Sequence, residues 1–308
     1  MVAMLRNLGF DYRERLGPAC EAHTLLGYLS RRYTHSSAAE WEGRIGTGLV
    51  LLDGLPARPD SALRRGQTLI WNRPPWEEPD APLEFAVLHE DRDLLAVAKP
   101  AGLPTLPAAD FLQATLLHQV RLRAPDVAPL HRLGRWTSGV VLFARGAAAR
   151  AELTRQWTAR EVEKRYRARV AGAPQDDDFT VTTPIGTVPH LLLSSVHAAS
   201  RVGKPAWSRV IVRERRGDNS VVDVFIATGR PHQIRIHLAA AGFPLLGDPL
   251  YVAGGIPAPD TRALPGDPGY LLHAAELSFR HPRDGRRLAV ACPPPAELRL
   301  ASDASPRR

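Results

Sequence analysis

Apolar residues along this chain follow two spacings, and each spacing predicts a different kind of element. Short runs rich in β-branched residues, bounded by turn residues, are typical of buried strands. Such runs lie at 83–89, 94–98, 140–144, 166–170, 208–213 and 221–227. Apolar residues three and four apart mark one face of a helix. Helices are accordingly predicted at 111–123, at 147–160 and from Pro231 onward. This mixture of elements indicates an α+β fold.

A smaller unit of the same kind precedes this region. Leu25, Leu29 and Tyr33 recur at helical spacing, and 48–54 and 66–71 indicate two strands. Proline is frequent in the next stretch and favours a semi-rigid linker. The predicted segments are an N-terminal tail at 1–18, a small α+β unit at 19–72, a linker at 73–82, a large domain at 83–292 and a C-terminal tail at 293–308.

The stretch Leu130–Arg145, LHRLGRWTSGVVLFAR, joins a basic segment to a core strand. A tight turn is predicted at Thr137–Gly139, because glycine tolerates backbone angles closed to other residues. A basic loop at the end of a buried strand can present side chains to a ligand. The alternative is a basic loop without a ligand. The region 252–270 is rich in Gly and Pro and predicts an exposed insertion.

Charge and cysteine content narrow the class of protein. The formal net charge of +8 favours a polyanionic partner, with nucleic acid first. Codon usage in a GC-rich genome is the competing explanation for part of the arginine excess. Cys20 and Cys292 lie at opposite ends of the chain, which predicts neither a disulfide framework nor a cysteine metal site. No apolar run is long enough for a membrane span and no signal peptide is evident, so a cytoplasmic protein is expected.

Several patterns that could indicate other sites do not fit them. Gly134 and Gly139 have the spacing of a phosphate loop, but Val140 and Val141 stand where Lys and Ser or Thr are required. His232 and His237 are five residues apart and diverge around a helix, which makes them poor joint metal ligands. The run 176–178 of three aspartates lacks the spacing of a calcium loop. No metal site is expected.

Five ordered motifs resemble those of the RluA-type family of RNA pseudouridine synthases. They are LAVAKPAGLP at 95–104, the stretch at 130–145, KRYRARVAG at 164–172, TGRPHQIRIHL at 228–238, and PLLGDPLY at 244–251 together with LHA at 272–274. The resemblance runs from about Leu83 to Pro282 and implies the pseudouridine synthase fold, with a mixed and mostly antiparallel central sheet. The unit at 19–72 is similar to a degenerate αL-type RNA-binding module. The alternative is a structural domain without RNA contact.

The resemblance also implies an activity and the residues that carry it. Family members isomerise uridine to pseudouridine in rRNA or tRNA. Tyr166 matches the family's catalytic tyrosine, Arg230 matches the ionic partner of its catalytic aspartate, and Arg132 matches an arginine that helps displace the base. RNA-binding residues are expected at His131, Arg132, Arg135, Lys99, Lys164, His232 and Arg235. RNA is the expected partner, the protein is expected to be a monomer, and neither a metal nor another cofactor is required.

Gly134 departs from the family pattern. The family signature is HRLD, and its aspartate is the catalytic residue, whereas this chain has HRLG. Asp126 and Asp248 do not obviously substitute for that carboxylate. Two interpretations therefore stand: a divergent synthase that works without this aspartate, or a catalytically inactive RNA-binding or ribosome-assembly protein of the same fold.

Overall fold

The computed structural model describes residues 5–304, which form two compact units with a boundary between Pro79 and Asp80. The boundary falls inside the stretch predicted as a linker, 73–82. The ends of the predicted tails, at 1–4 and 305–308, lie outside the described residues.

The first unit packs two helices on a small antiparallel sheet. Its elements are β1 (Phe10–Arg15), α1 (Leu25–Arg32), α2 (Ala38–Gly46), β2 (Val50–Leu52), β3 (Leu55–Pro56) and β4 (Thr68–Arg73), with the strand order β1-β4-β2-β3. Thr24 and Ser37 start the two helices, because their side chains accept hydrogen bonds from the first-turn amides of Gly27 and Glu40.

The first strand corrects the prediction of an N-terminal tail at 1–18. Strand β1 lies inside that segment and pairs along its whole length with β4, from Phe10 opposite Arg73 to Arg15 opposite Thr68. The backbone hydrogen bonds of the pairing hold a segment whose own sequence is polar and basic.

The second unit is built on one large sheet. Its strands are β5 (Ala86–Glu90), β6 (Leu94–Lys99), β7 (Val127–Pro129), β8 (Ser138–Arg145), β9 (Glu163–Ala171), β10 (Asp178–Val181), β11 (Ile185–Val188), β12 (Val196–Ala199), β13 (Ser208–Arg216), β14 (Asn219–Ile226), β15 (Tyr251–Val252), β16 (Ile256–Pro257), β17 (Leu272–Arg280) and β18 (Arg287–Ala291). Its helices are α3 (Leu116–Arg123), α4 (Gly146–Thr158) and α5 (Gln233–Ala240).

The main sheet has ten strands and is mixed, as predicted. Its order is β10-β13-β14-β9-β17-β8-β6-β5, with β18 on β17 and β7 on β8. The pair β17 and β8 is parallel, whereas the other pairs of this sheet are antiparallel. Strands β11 with β12, and β15 with β16, form two separate hairpins.

Strand β8 confirms the predicted buried strand. Val141 and Phe143 point into one core, with α3 and α5, while Val140 and Leu142 point into a second core, with α4. A continuous apolar run is what a strand needs when both faces of its sheet are covered.

The predicted turn at Thr137–Gly139 lies elsewhere. The turn spans Gly134–Thr137, where the Thr137 amide donates to the Gly134 carbonyl over 3.1 Å. Gly139 already belongs to β8, with φ +111°, and a Cβ on it would lie 2.2 Å from the Ala274 carbonyl oxygen. This glycine therefore permits the close parallel pairing of β8 with β17.

Three further boundaries differ from the sequence prediction. Helix α3 begins at Leu116 instead of 111, because Thr115 caps it by accepting the His118 amide. The predicted C-terminal tail packs on the domain through Leu298, which is buried. The predicted insertion at 252–270 begins within the hairpin of β15 and β16 and ends at Tyr270, a buried residue.

Within residues 5–304, every helix is too short or too polar to cross a membrane.

Candidate active site

The loop that leads into β8 is held in place by buried polar contacts. Thr105 makes two hydrogen bonds to the backbone of Leu133. Its hydroxyl donates to the Leu133 carbonyl over 2.9 Å and accepts the Leu133 amide over 3.1 Å. The Gly134–Thr137 turn follows immediately. Residues 132–136 are thereby fixed at the end of a core strand, which gives their side chains defined positions.

Lys99 braces this loop from within the protein. Its ammonium donates to the carbonyl oxygens of Pro100 (2.9 Å), Leu103 (2.6 Å) and Arg135 (2.9 Å), so all three protons are used. The side chain is 1% exposed. Burial, with a contribution from the charge of Arg135, lowers the pKa of Lys99 to about 7. The prediction that Lys99 binds RNA is wrong, because a phosphate cannot reach this buried group.

Arg135 completes the brace but stays partly open to solvent. Its Nε donates to the Gly102 carbonyl over 2.9 Å, and its guanidinium lies 4.5 Å from the centre of the Phe111 ring. Since the group is half-buried, the remaining guanidinium donors can still meet an anion.

His131 and Lys164 lie against Trp157 on α4. The ring of His131 stacks on the indole at 4.7 Å, and its Nε2 accepts the Leu142 amide over 3.0 Å. Lys164 is buried, with its ammonium 5.6 Å from the Trp157 ring centre. Both were predicted to bind RNA. That prediction is corrected, because His131 is committed to the stack and to the Leu142 amide, and Lys164 is only 7% exposed and packs on Trp157.

Gln233 organises the loop before α5 and so positions Arg230. Its buried Oε1 accepts the Arg230 amide (3.0 Å) and the Thr228 hydroxyl (2.7 Å), while its Nε2 donates to the Trp207 carbonyl (2.9 Å). Arg230 is half-buried, and its Nε donates to the Pro205 carbonyl over 3.2 Å. Within residues 5–304, Arg230 has no carboxylate at ion-pair distance, which leaves its charge available for an anionic ligand.

His232 starts α5 in the left-handed region, with φ +54°. The Tyr251 hydroxyl donates its proton to the His197 carbonyl over 2.7 Å. The 2.8 Å contact between His232 Nδ1 and that hydroxyl must therefore use an Nδ1–H donor. Nε2 then carries the lone pair of a neutral ring, and burial lowers the pKa of His232 to about 4.

Arg235 forms a buried, bidentate ion pair with Asp248. The two hydrogen bonds are 2.7 and 2.8 Å long, and the side chains are 3% and 1% exposed. The guanidinium also donates to the Pro265 carbonyl over 2.8 Å and lies 4.3 Å from the Tyr270 ring centre. Arg235 was predicted to bind RNA. The contacts of Arg235 contradict this prediction, because its donors are directed to groups inside the protein.

Tyr166 is a buried phenol whose hydroxyl is unpaired. It lies on β9, opposite Val224 on β14 and Ala274 on β17, and is 9% exposed. Its hydroxyl has no hydrogen-bond partner among the residues that the structure describes. Burial raises the pKa of Tyr166 to about 12. The residue is buried except for a small part of its surface, and a hydroxyl without a protein partner there is a candidate for contact with a ligand.

Two hydroxyls surround the bare position of Gly134. A Cβ on Gly134 would lie 3.2 Å from Tyr270 Oη and 3.5 Å from Thr137 Oγ1. Its φ is not in the left-handed region, so space rather than backbone strain limits the side chain there. Arg132 is exposed nearby in the same loop and has no hydrogen bond or ion pair within the described part of the chain.

The two lowered histidine pKa values predict a loss of stability in acid. Burial lowers the pKa of His131 to about 3, with a contribution from the charge of Lys164, and that of His232 to about 4. Below pH 6.5 the unfolded chain therefore binds more protons, and unfolding becomes more favourable. Each histidine should lower the free energy of unfolding at pH 5 by about 2 kcal/mol relative to its value at pH 8. Urea denaturation between pH 5 and pH 8 measures this loss. In His131→Gln the free energy of unfolding should depend less steeply on pH than in the natural protein. The same pH dependence in both proteins would contradict the assignment.

The comparisons with known proteins agree with one another. Residues 93–240 match the family described as RNA pseudouridylate synthase. An uncharacterized RNA pseudouridine synthase of Synechocystis sp. is 42% identical over 276 residues, 89% of this chain and 95% of that protein. The chain belongs to the RluA-type family of RNA pseudouridine synthases. Members of this family are isomerases.

Two more relatives of this synthase agree with that membership. Ribosomal large subunit pseudouridine synthase D of Xanthomonas campestris is 35% identical over 291 residues, 89% of this chain and 85% of that protein. The solved structure of human RNA pseudouridylate synthase domain containing 1 has a TM-score of 0.55 at 28% identity, over 71% of this chain and 86% of that one. The predicted pseudouridine synthase fold is thereby confirmed.

Sequence reasoning missed three residues of this synthase's site. Gln233 lies inside a quoted motif, but nothing in its spacing shows that it holds Arg230. Thr137 and Tyr270 border Gly134, although Tyr270 is far from it in sequence and ends a segment predicted to be exposed. The sequence offered no signal that Tyr270 would be buried beside Gly134, because the segment that contains it was predicted to be exposed.

Proposed function

We propose that the protein isomerises uridine to pseudouridine in rRNA or tRNA, with Tyr166 in direct contact with the target base. The observation that carries the proposal is the unpaired hydroxyl of this buried tyrosine. An aromatic ring can stack on a flipped uracil while its hydroxyl hydrogen-bonds to the base or exchanges a proton with it.

The reaction balances without an added reagent. The N1–C1′ bond breaks, the uracil turns, and a C5–C1′ bond forms. The C5 proton is lost and N1 gains a proton, so the product is an isomer of the substrate. Each step is a proton or bond exchange, and the chain's own side chains can supply the groups that move protons.

Cationic side chains support RNA as the partner. Arg132 is exposed, and Arg135 and Arg230 are half-buried. None of the three has an ion-pair partner within the described residues, so they can meet phosphates. An arginine can also fill the gap left in the stack when the base is flipped. His232 presents a neutral Nε2 acceptor and is a further contact in this proposal.

The hydroxyls of Tyr270 and Thr137 take part in place of the missing carboxylate. They are the groups nearest to where the side chain of an aspartate at Gly134 would begin. In this role they hydrogen-bond to the ribose or base of the flipped nucleotide. A neutral hydroxyl pair needs no cationic partner, which agrees with an Arg230 that has no carboxylate beside it within residues 5–304.

The reaction is assigned to a monomer in the cytoplasm. Cys20 and Cys292 are both buried free thiols, which suits a reducing compartment.

The direct test is pseudouridine formation by the purified protein. The substrates are bulk rRNA and tRNA from a strain that lacks the gene, and modified positions are mapped by chemical labelling of pseudouridine. We expect a defined uridine in one of these RNAs to be converted. An absence of product on RNA that the protein demonstrably binds would remove the isomerase proposal.

A second candidate function rests on Gly134: an RNA-binding or ribosome-assembly protein that has lost isomerisation. Gly134→Asp separates the two, with Gly134→Asn as a control of matched size. If the natural protein is active, both variants crowd the Tyr270 hydroxyl, and both should lower its rate. If instead only Gly134→Asp forms pseudouridine, the natural chain is a binding protein with an intact pocket.

A further inference from the structure

A cavity of about 570 Å³ lies in the second unit, between the main sheet and the C-terminal segment, residues 293–304. Arg165 and Arg167 of β9 line it, and Tyr166 stands between them in the sequence. Successive side chains of a strand point to opposite faces of the sheet. The cavity therefore lies on the face opposite to Tyr166 and is separate from the residues assigned to isomerisation.

The wall of this cavity is partly apolar. Ala275 of β17 and Ala291 of β18 contribute to it from the sheet, and Pro293 and Pro294 contribute from the C-terminal segment. Cavities of about 300–1,000 Å³ that combine an apolar wall with a few polar groups are typical of small-molecule sites. The size and the lining thus suit an organic ligand better than a bare ion.

Two arginines line the cavity with donors that have no short hydrogen bond. Arg167 is 7% exposed, and its Nη1 has only long contacts, 3.4 Å to the Leu298 carbonyl and 3.7 Å to the Asp303 carboxylate. Arg299 is exposed, and its Nε donates to the Pro294 carbonyl over 3.3 Å. Within residues 5–304, Arg299 has no carboxylate at ion-pair distance. Both guanidinium groups can therefore donate to an anionic ligand.

Positive charge exceeds negative charge around the cavity. The Asp223 carboxylate lies 2.6 Å from Arg167 and 3.7 Å from both Arg165 and Arg213, so three arginines share it. Counting Arg299, this cluster of described residues holds four arginines and three carboxylates. The carboxylates are those of Asp223, Glu276 and Asp303.

Asp303 shows where an anion can lie in this cluster. It belongs to the C-terminal segment, and its carboxylate is 41% exposed and 3.7 Å from Arg167 Nη1, which is longer than a hydrogen bond. Exposed pairs of this kind contribute little to stability. A phosphate carries more charge and more acceptor oxygens than a carboxylate, and arginine matches its geometry well. A phosphate can therefore displace the Asp303 carboxylate from Arg167.

We propose that this cavity binds a mononucleotide, whose phosphate replaces the Asp303 carboxylate at Arg167 and also meets Arg299. The base and ribose lie against the apolar wall. The phosphate supplies the charge that the cluster lacks, and the wall accounts for a ligand larger than inorganic phosphate. This inference goes beyond the proposed function and does not depend on isomerisation.

Binding of adenosine monophosphate (AMP) to the full-length protein, measured by isothermal titration calorimetry, tests the site. We expect one AMP to bind per chain, and adenosine, which lacks the phosphate, to bind about tenfold more weakly or not at all. Arg299→Met keeps a long side chain without its charge and should raise the dissociation constant for AMP about tenfold, as for the loss of a hydrogen bond to a charged group. Asp303→Asn should lower it about two- to fivefold, because the competing charge is gone. The amide oxygen of the new side chain can still accept the Leu300 amide, as the carboxylate does.

Arg58 and Asp60 provide matched controls. They form an exposed pair at 3.6 Å in the first unit, so Arg58→Met and Asp60→Asn make the same changes in charge outside the cavity. Both variants should bind AMP as the natural protein does. Equal weakening in Arg299→Met and Arg58→Met overturns the inference, because the attraction then depends only on net charge.

Three other outcomes also overturn the inference: no binding of AMP, equal binding of AMP and adenosine, or an unchanged affinity in Asp303→Asn. The first removes the site, the second removes the role of the phosphate, and the third removes the competition with Asp303. None of these measurements uses pseudouridine formation. A failure of the proposed isomerase function is therefore distinguishable from a failure of this site.

Discussion

Replacing Tyr166 with phenylalanine is expected to lower the rate of pseudouridine formation by about 10²- to 10⁴-fold, the usual contribution of a positioned acid or base. The change removes one hydroxyl and keeps the ring that stacks on the base. Because this hydroxyl has no hydrogen-bond partner in residues 5–304, the protein should lose no stability, and the affinity for RNA should stay the same. Single-turnover assays at saturating RNA measure the rate, and thermal denaturation checks the fold.

The variant Tyr166→Leu distinguishes the ring from the hydroxyl. Tyr166 packs in the main core with Val224 and Ala274, so the loss of its ring leaves a cavity and should destabilise the second unit. Its RNA turnover should fall at least as far as that of Tyr166→Phe. Full activity in Tyr166→Phe would show that the hydroxyl has no part in proton transfer. In that case the tyrosine would be only a structural residue of β9.

The core of the fold was predictable because its signal is local. Val140 to Ala144 form a short, uninterrupted apolar run, and such a run indicates a strand with both faces covered. The start of α3 was misplaced for an equally local reason. Apolar spacing extends back to Phe111, but the capping hydroxyl belongs to Thr115, and the cap determines where the helix begins. A tail such as 1–18 shows no such signal, because β1 is held by its partner strand rather than by its own composition.

The types of residue in the site could be predicted from the sequence, but the contacts that each of them makes could not. Arg230 and Arg235 stand five positions apart in one motif, and both were expected to bind RNA or act in catalysis. In the fold, Arg230 has no carboxylate partner among the residues that the structure describes, whereas Arg235 forms a buried ion pair with Asp248. Lys99 is likewise a cation by sequence and an internal brace by structure. Only the path of the chain decides which cations face a ligand, since each pairing joins residues that are distant in sequence.

Breaking the Arg235–Asp248 pair is expected to have the largest effect on stability. Asp248→Asn should cost about 3–5 kcal/mol, because it leaves a buried guanidinium without its counter-charge. That is a large part of the 5–15 kcal/mol that usually stabilises a domain. Urea denaturation of the second unit measures the loss. The rate of pseudouridine formation should fall with it, since the guanidinium also packs on Tyr270 beside Gly134.

Two controls identify burial as the cause. Asp178 pairs with Arg209 on the surface, where the side chains are 44% and 49% exposed, so Asp178→Asn should change stability little. The double variant Arg235→Met/Asp248→Leu removes both charges and should recover part of the stability lost in Asp248→Asn, because no buried charge is left alone. Recovery should remain incomplete, since Asp248 also accepts the amides of Leu250 and Tyr251. Equal losses in Asp248→Asn and Asp178→Asn would mean that the buried pair contributes no more than an exposed one.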